Sequence, residues 1–530
     1  MKSNANQKGF WHGALLLTAV ALFMKVLSVG YRIPYQNITG NLGFYVYQQI
    51  YPFYSIAIIL ATYGFPVVVS RLVSEQIVKN EVEKAEELSR YSFYVLTALG
   101  TAGFVVLYAG SPLLADLMED PALQTPLRAT AFSFLIMPGI ASIRGYFQGQ
   151  ENMIPTAWSQ VVEQSVRVVA ILSISIGLVI NGYGPYATGT GAAAGSIIGG
   201  LAAFLLLLVL RIRKNTTQKA LFRTHLFRFL GVARRLLTEG VLICVSALVM
   251  VLFQLMDALT IVPGLTEYGL SSLDAKEMKG VFDRGQPLMQ VGVVLATSLS
   301  LAIVPVISKA TEEENIESIR EKAGLSLKVS LVIGLSAAAG LFIIMKDTNR
   351  MLFTDASLSY TLSILAVAIL FSSLAMTGAG ILQGIGLARQ AARYAGLGVL
   401  LKAFLNIILI PLIGINGAAY ATVFGFITVA SLIGAAVHRR VGLRKYPFRL
   451  KRTGFAVAMM SGSVLLLQLI IPTSSSRGAA SLHALSGAAL GVVVLSLSLI
   501  MLQVFTKPEL MQLPKGEKVS MLHQKLRKGA

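Results

Sequence analysis

Apolar windows of about 20 residues recur along the whole chain, near 11–33, 45–70, 91–111, 127–147, 156–180, 186–211, 236–262, 282–308, 325–346, 358–384, 392–413, 416–437, 453–472 and 482–506. Inside hydrocarbon each unpaired backbone group costs several kcal/mol, so only helices and closed barrels can span it. Windows this long and this continuous are helices. The sequence therefore predicts an all-α polytopic membrane protein of about fourteen transmembrane helices. Only 13% of its residues are charged, against about 25% in an ordinary soluble domain.

The 45 Lys and Arg outnumber the 25 Asp and Glu by 20. In short connections such an excess marks one face of a membrane and offers no module able to read nucleic acid. Let the termini and the loops after the even-numbered segments form one side. Then only Arg128, Lys276, Lys279, Lys346, Arg350 and Arg477 lie opposite, and Lys25, Arg32, Arg167, Arg284 and Lys402 lie inside segments. The positive-inside rule then puts both termini in the cytoplasm.

Several chemistries are disfavoured. Cys244 is the one cysteine and the five histidines are scattered, so neither a disulfide framework nor a metal site is expected. No G-x-x-x-x-G-K-[S/T] loop occurs, which argues against an ATP-driven pump; no cofactor is expected. Lys2 and Lys8 precede an apolar run as in a signal peptide. No small-residue cleavage site follows and Lys25 interrupts the run, so the first segment reads as a retained helix. Residues 212–235 interleave Leu226, Phe229 and Leu230 with basic residues, which suits an amphipathic helix on the cytoplasmic surface or a plain basic topogenic loop.

An internal repeat organises the segments. Tyr146-Phe-Gln-Gly149 and the Gly189–Gly200 stretch end the fourth segment and fill the sixth; Ile381-Leu-Gln-Gly384 and Gly414–Gly425 do the same for the tenth and twelfth. Pro52 with Leu60-Ala-Thr62 matches Pro287 with Leu295-Ala-Thr297 at the same offset. The predicted divisions are an N-lobe of six helices (1–211), the connection 212–235, a C-lobe of six (236–438), a basic linker (439–452), two appended helices (453–506) and a basic tail (507–530). Parallel repeats of this kind are a transporter architecture.

Charges inside the segments are the candidate functional groups, since a central cation costs about 2.5–3.5 kcal/mol on insertion scales. The first segment carries Lys25 and Arg32 on one small-and-polar stripe with Ala14, Thr18, Ala21 and Ser28. Arg32 could instead snorkel to the outer interface. Glu163 and Arg167 are four apart and can pair on one face. Asp283 could cap the helix that Arg284 opens. Lys402 and Asn406 are again four apart, and Asp257 could pair with Lys25 or Arg32. Five cations against the carboxylates Glu163, Asp257 and Asp283 make a cavity suited to an anion, phosphate above all.

Fourteen segments, paired six-helix lobes, the cationic stripe and Phe282-Asp-Arg284 opening the eighth segment resemble the multidrug/oligosaccharidyl-lipid/polysaccharide exporter superfamily. The closest likeness is to its polysaccharide-biosynthesis branch, which includes stage V sporulation B proteins and bacterial lipid II flippases. The resemblance implies a flippase of the bacterial cytoplasmic membrane. Its substrate would be an undecaprenyl-diphosphate-linked saccharide, a precursor of peptidoglycan, another polysaccharide or spore cortex. It would act as a monomer by alternating access, alongside cell-envelope synthesis machinery. By position, Lys25 and Arg284 match basic residues of those flippases, and Arg32 falls one place late. The branch's arginine after the helix 2 proline is missing, with Arg71 the nearest candidate. The membrane potential or an ion gradient through Asp257, Glu163 or Asp283 would drive it. Two other readings compete: an organic-cation antiporter, which would want carboxylates to dominate, and a membrane glycosyltransferase or non-transporting assembly factor.

Overall fold

The computed structural model describes residues 24, 27–213, 226–240, 243–244, 248–301, 307–308, 310–311, 313–470 and 476–512, with the backbone alone for 298–301. Every regular element among these residues is helical. Twelve of the described helical stretches are long and apolar enough to cross a membrane. Of the fourteen windows, 11–33 lies mostly outside the described residues and 282–308 is divided differently, as set out below. Large apolar side chains such as Val106 (72% exposed), Leu469 (82%) and Leu482 (72%) point outward, as lipid-facing surfaces require. The chain falls into two compact units, Met1–Asp283 with Asn406–Gly414, and Arg284–Leu405 with Ile415–Ala530.

The first unit begins with α1 (Arg32–Ile59), in fact two helices joined at Gly40, whose φ of +71° suits a residue without Cβ. The helix bearing Arg32 thus runs on to Thr39, so Arg32 stands inside it. A π-helical turn over Leu60–Gly64 leads to α2 (Phe65–Ile77). Then follow α3 (Val82–Leu117), α4 (Gln124–Ala131), α5 (Ser133–Gly149), α6 (Ile154–Ile180) and α7 (Pro185–Arg213). Small residues let α7 lie backbone to backbone on α6. A Cβ at Gly195 would sit 2.7 Å from the Ile171 nitrogen, and one at Gly199 2.7 Å from the Glu163 carbonyl oxygen. This contact fixes the height and rotation of α6, which carries Glu163 and Arg167.

The described part of the basic connection forms α8 (Leu226–Arg235). Phe229 and Val232 face into the first unit, Phe229 meeting Tyr91 edge-on at 5.9 Å and Val232 2% exposed, while Leu230 stays 53% exposed. The basic face of α8 pairs with α2 and α3 through Arg235–Glu75 (2.9 Å) and Arg228–Glu87 (2.8 Å). Two further helices, α9 (Val249–Glu267) and α10 (Ser272–Asp283), pack on α1. A Cβ at Gly280 would lie 2.2 Å from the Asn41 carbonyl oxygen. Asp283 ends α10 and pairs with Lys279 one turn back at 2.5 Å, because a buried carboxylate needs a cation within reach.

The second unit contains α11 (Gly285–Leu301), α12 (Ile316–Phe353), α13 (Ser359–Gly384), α14 (Ala388–Ile413, whose end from Asn406 belongs to the first unit) and α15 (Ile415–Val441). The paired helices α16 (Leu450–Ile470) and α17 (Arg477–Met501) both pack on α12. A short α18 (Lys507–Met511) opens with a capping box between Thr506 and Glu509. Glu509 also pairs with the fully buried Lys328 of α12 at 2.8 Å. Burial pushes the Glu509 carboxyl up, but hydrogen bonds from Lys328, Tyr446 and the Thr506 backbone outweigh it and leave it below the ordinary range.

The α6–α7 contact is directly testable. Gly195→Leu must force the two backbones apart and is expected to cost at least about 1–3 kcal/mol. Gly177→Leu on α6, where a Cβ meets nothing within 4 Å, is expected to leave thermal unfolding of the purified protein unchanged.

Candidate functional site

Arg32 and Arg167 meet in the interior of the first unit, in a box of tyrosines. Arg32 is fully buried, its guanidinium 4.1 Å from the centre of the Tyr51 ring. Arg167 lies 5.7 Å from the Tyr31 ring and 5.4 Å from that of Tyr54, and donates to the Tyr54 hydroxyl at 3.2 Å. Tyr31 and Tyr47 share a hydroxyl–hydroxyl hydrogen bond, and Tyr47 packs on Tyr35 at 4.9 Å and on Tyr51 at 5.8 Å. The rings all come from α1 and its approach, where one face recurs as Tyr47, Tyr51 and Tyr54. Their π faces stabilise a guanidinium by about 0.5–2 kcal/mol each, well short of the several kcal/mol that burying an ion costs.

Among the described residues no carboxylate pairs with either arginine of the box. None of the three Arg32 guanidinium nitrogens has an acceptor of acceptable geometry among the described residues, and the same holds for Nε of Arg167 and Nε2 of Gln164. Buried polar groups left this way ask for a ligand, an ion or water. The expected pairing of Glu163 with Arg167 does not form. Glu163 is held by Arg144 at 2.7 Å, which also donates to Ser159 at 2.9 Å and to Thr62 of the π turn at 3.0 Å. Snorkelling of Arg32 is likewise overturned, since the side chain is sealed from solvent.

Other charged groups of this unit have local partners. Asp257 accepts from Asn406 at 3.2 Å, and Asn406 also donates to Thr260 at 2.8 Å. Asp120, 1% exposed, accepts from Tyr45 and Tyr186 and pairs with Lys276 at 3.0 Å. Arg71, the nearest stand-in for the missing helix 2 arginine, is largely exposed and pairs with Glu239 at 3.0 Å. No three His, Cys, Asp or Glu side chains converge as metal ligands among the described residues.

In the second unit Arg284 stands at the break before α11 and clamps the 354–358 turn. It donates to both oxygens of Asp355 (2.8 and 2.7 Å) and to Asn349 at 3.3 Å. Burial alone pushes the Asp355 carboxyl up; hydrogen bonds from Arg284 and Ser357 outweigh it and bring it down from 3.8 to about 2. Lys402, fully buried, donates to Thr422 at 2.8 Å. Asp347 and His483 face each other at 3.7 Å. Lys25, the cation on which the sequence lays most weight, falls outside the described residues.

The polysaccharide biosynthesis protein family matches residues 10–311, and the MatE family matches residues 243–408. The uncharacterized membrane protein YabM of Bacillus subtilis (strain 168) is 37% identical over 96% of this chain and 96% of its own.

The chain belongs to the polysaccharide biosynthesis protein family.

Within the multidrug/oligosaccharidyl-lipid/polysaccharide exporter superfamily, this member of the polysaccharide biosynthesis family is a multi-pass membrane transporter. It is related to the lipid II flippase MurJ of the same Bacillus at 27% identity, over 87% of this chain and 88% of that one. A solved structure of lipid II flippase MurJ in an inward closed conformation shares the fold, with a TM-score of 0.68 at 15% identity, over 91% of this chain and 98% of that one.

Two predictions test the charge assignments in this family member. Glu163→Gln strands Arg144 without a counter-charge and is expected to destabilise the protein by about 3–5 kcal/mol, whereas Arg144→Met with Glu163→Leu restores most of the loss. Thermal unfolding in detergent reads both. Asp355 has a lowered pKa in the folded state, so its contribution is complete above the unfolded value near 3.8 and is lost as pH falls through about 2. Asp355→Asn is expected to flatten the pH dependence of unfolding in that window and to leave it unchanged above.

Proposed function

We propose that this chain carries an undecaprenyl-diphosphate-linked saccharide from the cytoplasmic to the outer leaflet by alternating access. The diphosphate is taken up at Arg32 and Arg167. The single observation that supports this most is a pair of buried guanidiniums with unsatisfied nitrogens and no carboxylate paired to them among the described residues. Diphosphate is the ligand that suits them, because its oxygens accept the parallel donors of an arginine and its charge offsets the desolvation of both. The tyrosine rings close the box in the described state, so uptake requires them to part.

In this reading both termini are cytoplasmic, and a negative cytoplasm favours outward movement of the anionic headgroup by about 2.3 kcal/mol per charge per 100 mV. Lys25, Arg284 and Lys402 serve the same headgroup elsewhere on its route. At Arg284 the phosphate must displace Asp355. A cation antiporter would need free carboxylates, whereas Glu163 and Asp283 are each held by a basic side chain. The kinship with a lipid II flippase supports the lipid-linked class of substrate.

Translocation in vesicles tests the proposal. Arg32→Ala and Arg167→Ala are each expected to slow outward movement of the lipid-linked saccharide by about tenfold or more, the loss of a charge-assisted hydrogen bond worth about 1.5–3 kcal/mol. An imposed inside-negative potential should speed the wild type. Wild-type rates in both variants, or export of cationic dyes with no lipid moved, would overturn it.

A further inference from the structure

The second unit holds an apolar cavity of about 420 Å³ that no charge of the substrate path uses. Leu327 and Leu331 of α12, Leu374 of α13, Ala430 and Gly434 of α15, and Phe448 line it; His438 and Arg444 stand at its edge. The volume lies within the range of about 300–1,000 Å³ typical of small-ligand sites. A Cβ on Gly434 would meet nothing within 4 Å, so the α15 side is open as well.

The outer wall is the 442–449 connection, and it is tied in place. Arg320 donates to the Val441 carbonyl at 3.1 Å and Lys328 to that of Pro447 at 3.2 Å, while Arg449 donates to Gln503. Tyr446 lies so close to Gly324 that a Cβ there would fall 2.4 Å from its ring, and its hydroxyl donates to Glu509. A free loop would fold Phe448 inward and close an apolar void, since unfilled space forfeits dispersion contacts. The tethers hold the wall off and keep the cavity open.

The segment that supplies the rim is basic, while the nearby acids Glu509 and Glu321 lie by Tyr446, Glu509 already held by Lys328. Residues 436–452 contain no acid, and Arg439, Arg440, Arg444 and Lys445 are all exposed beside His438. We infer that the cavity holds one acyl chain of an anionic glycerophospholipid, with its phosphate at Arg444 and His438. Apolar walls under a basic rim, in a protein surrounded by lipid, select this ligand by charge complementarity. Clusters of basic residues at a membrane surface bind anionic headgroups in this way. The site is independent of the substrate assigned to Arg32 and Arg167.

Native mass spectrometry of the full chain, released from nanodiscs of phosphatidylglycerol or of phosphatidylcholine with identical acyl chains, tests it. Wild type is expected to retain phosphatidylglycerol over phosphatidylcholine. Arg444→Gln should cut that preference about fivefold, the equivalent of about 1 kcal/mol per basic residue. Gly434→Phe should abolish retention by filling the cavity; if that variant fails to fold, Ala430→Leu must lower it. Equal retention of the two lipids by wild type, or undiminished phosphatidylglycerol in the filled variants, overturns the inference. Displacement of phosphatidylglycerol by undecaprenyl phosphate at equal concentration overturns it too, since the occupant would then be a carrier lipid.

Discussion

Arg32 and Arg167 are ions removed from water with no carboxylate paired to them among the described residues, and the first unit is arranged around that imbalance. A guanidinium in the interior normally ends on a carboxylate, as Arg144 does on Glu163 in the same unit. The chain therefore has the means to neutralise a buried arginine a few turns away. In the tyrosine box the described residues supply ring faces and tyrosine hydroxyls. A phosphate has the charge and the oxygens that would complete such a box.

The geometry follows from ordinary helix packing. Small residues on α7 bring α6 to backbone contact, which sets where Glu163 and Arg167 point. One turn separates those side chains along α6, yet they face different partners: Glu163 turns to Arg144 and the π turn, Arg167 to the tyrosines. The extra residue of the π turn brings Thr62 within 3.0 Å of Arg144, completing that arginine's set of partners. α6 thus contributes one member to a satisfied pair and one to an unsatisfied pair, and the second has chemistry left to offer a ligand.

Much of this was legible in the sequence, and the failures have physical causes. Hydropathy located the spans because a bilayer tolerates no other backbone arrangement. Arg32, Arg167 and an excess of cations over carboxylates are visible as a census of charges within apolar windows, although that census offers Glu163 to Arg167 and Asp257 to Arg32 as partners. The pairing of Glu163 with Arg144 is not visible there, because spacing by four marks who can meet on one helix and says nothing of a neighbouring helix that arrives with a better donor. Arg144 escaped notice since it stands four residues from the end of its window, where a basic residue ordinarily belongs to the cytoplasmic rim. The partner of Asp283 was hidden for a similar reason: an Asp beside an Arg reads as a helix start, whereas here it ends α10 and pairs with Lys279 one turn earlier. Lys328 and Glu509 lie far apart in sequence, and no local pattern announces a buried pair of that kind.

The most direct measurement is equilibrium binding of a lipid-linked diphosphate saccharide to the purified protein in detergent, against the same lipid bearing a neutral linkage. A site built from two unanswered guanidiniums predicts that the diphosphate binds at least about tenfold more tightly, by charge-assisted contacts worth about 1.5–3 kcal/mol. It also predicts that Arg32→Ala with Arg167→Ala erases the difference. Equal affinity for the charged and neutral lipids, or a preference that survives the loss of both arginines, would contradict it.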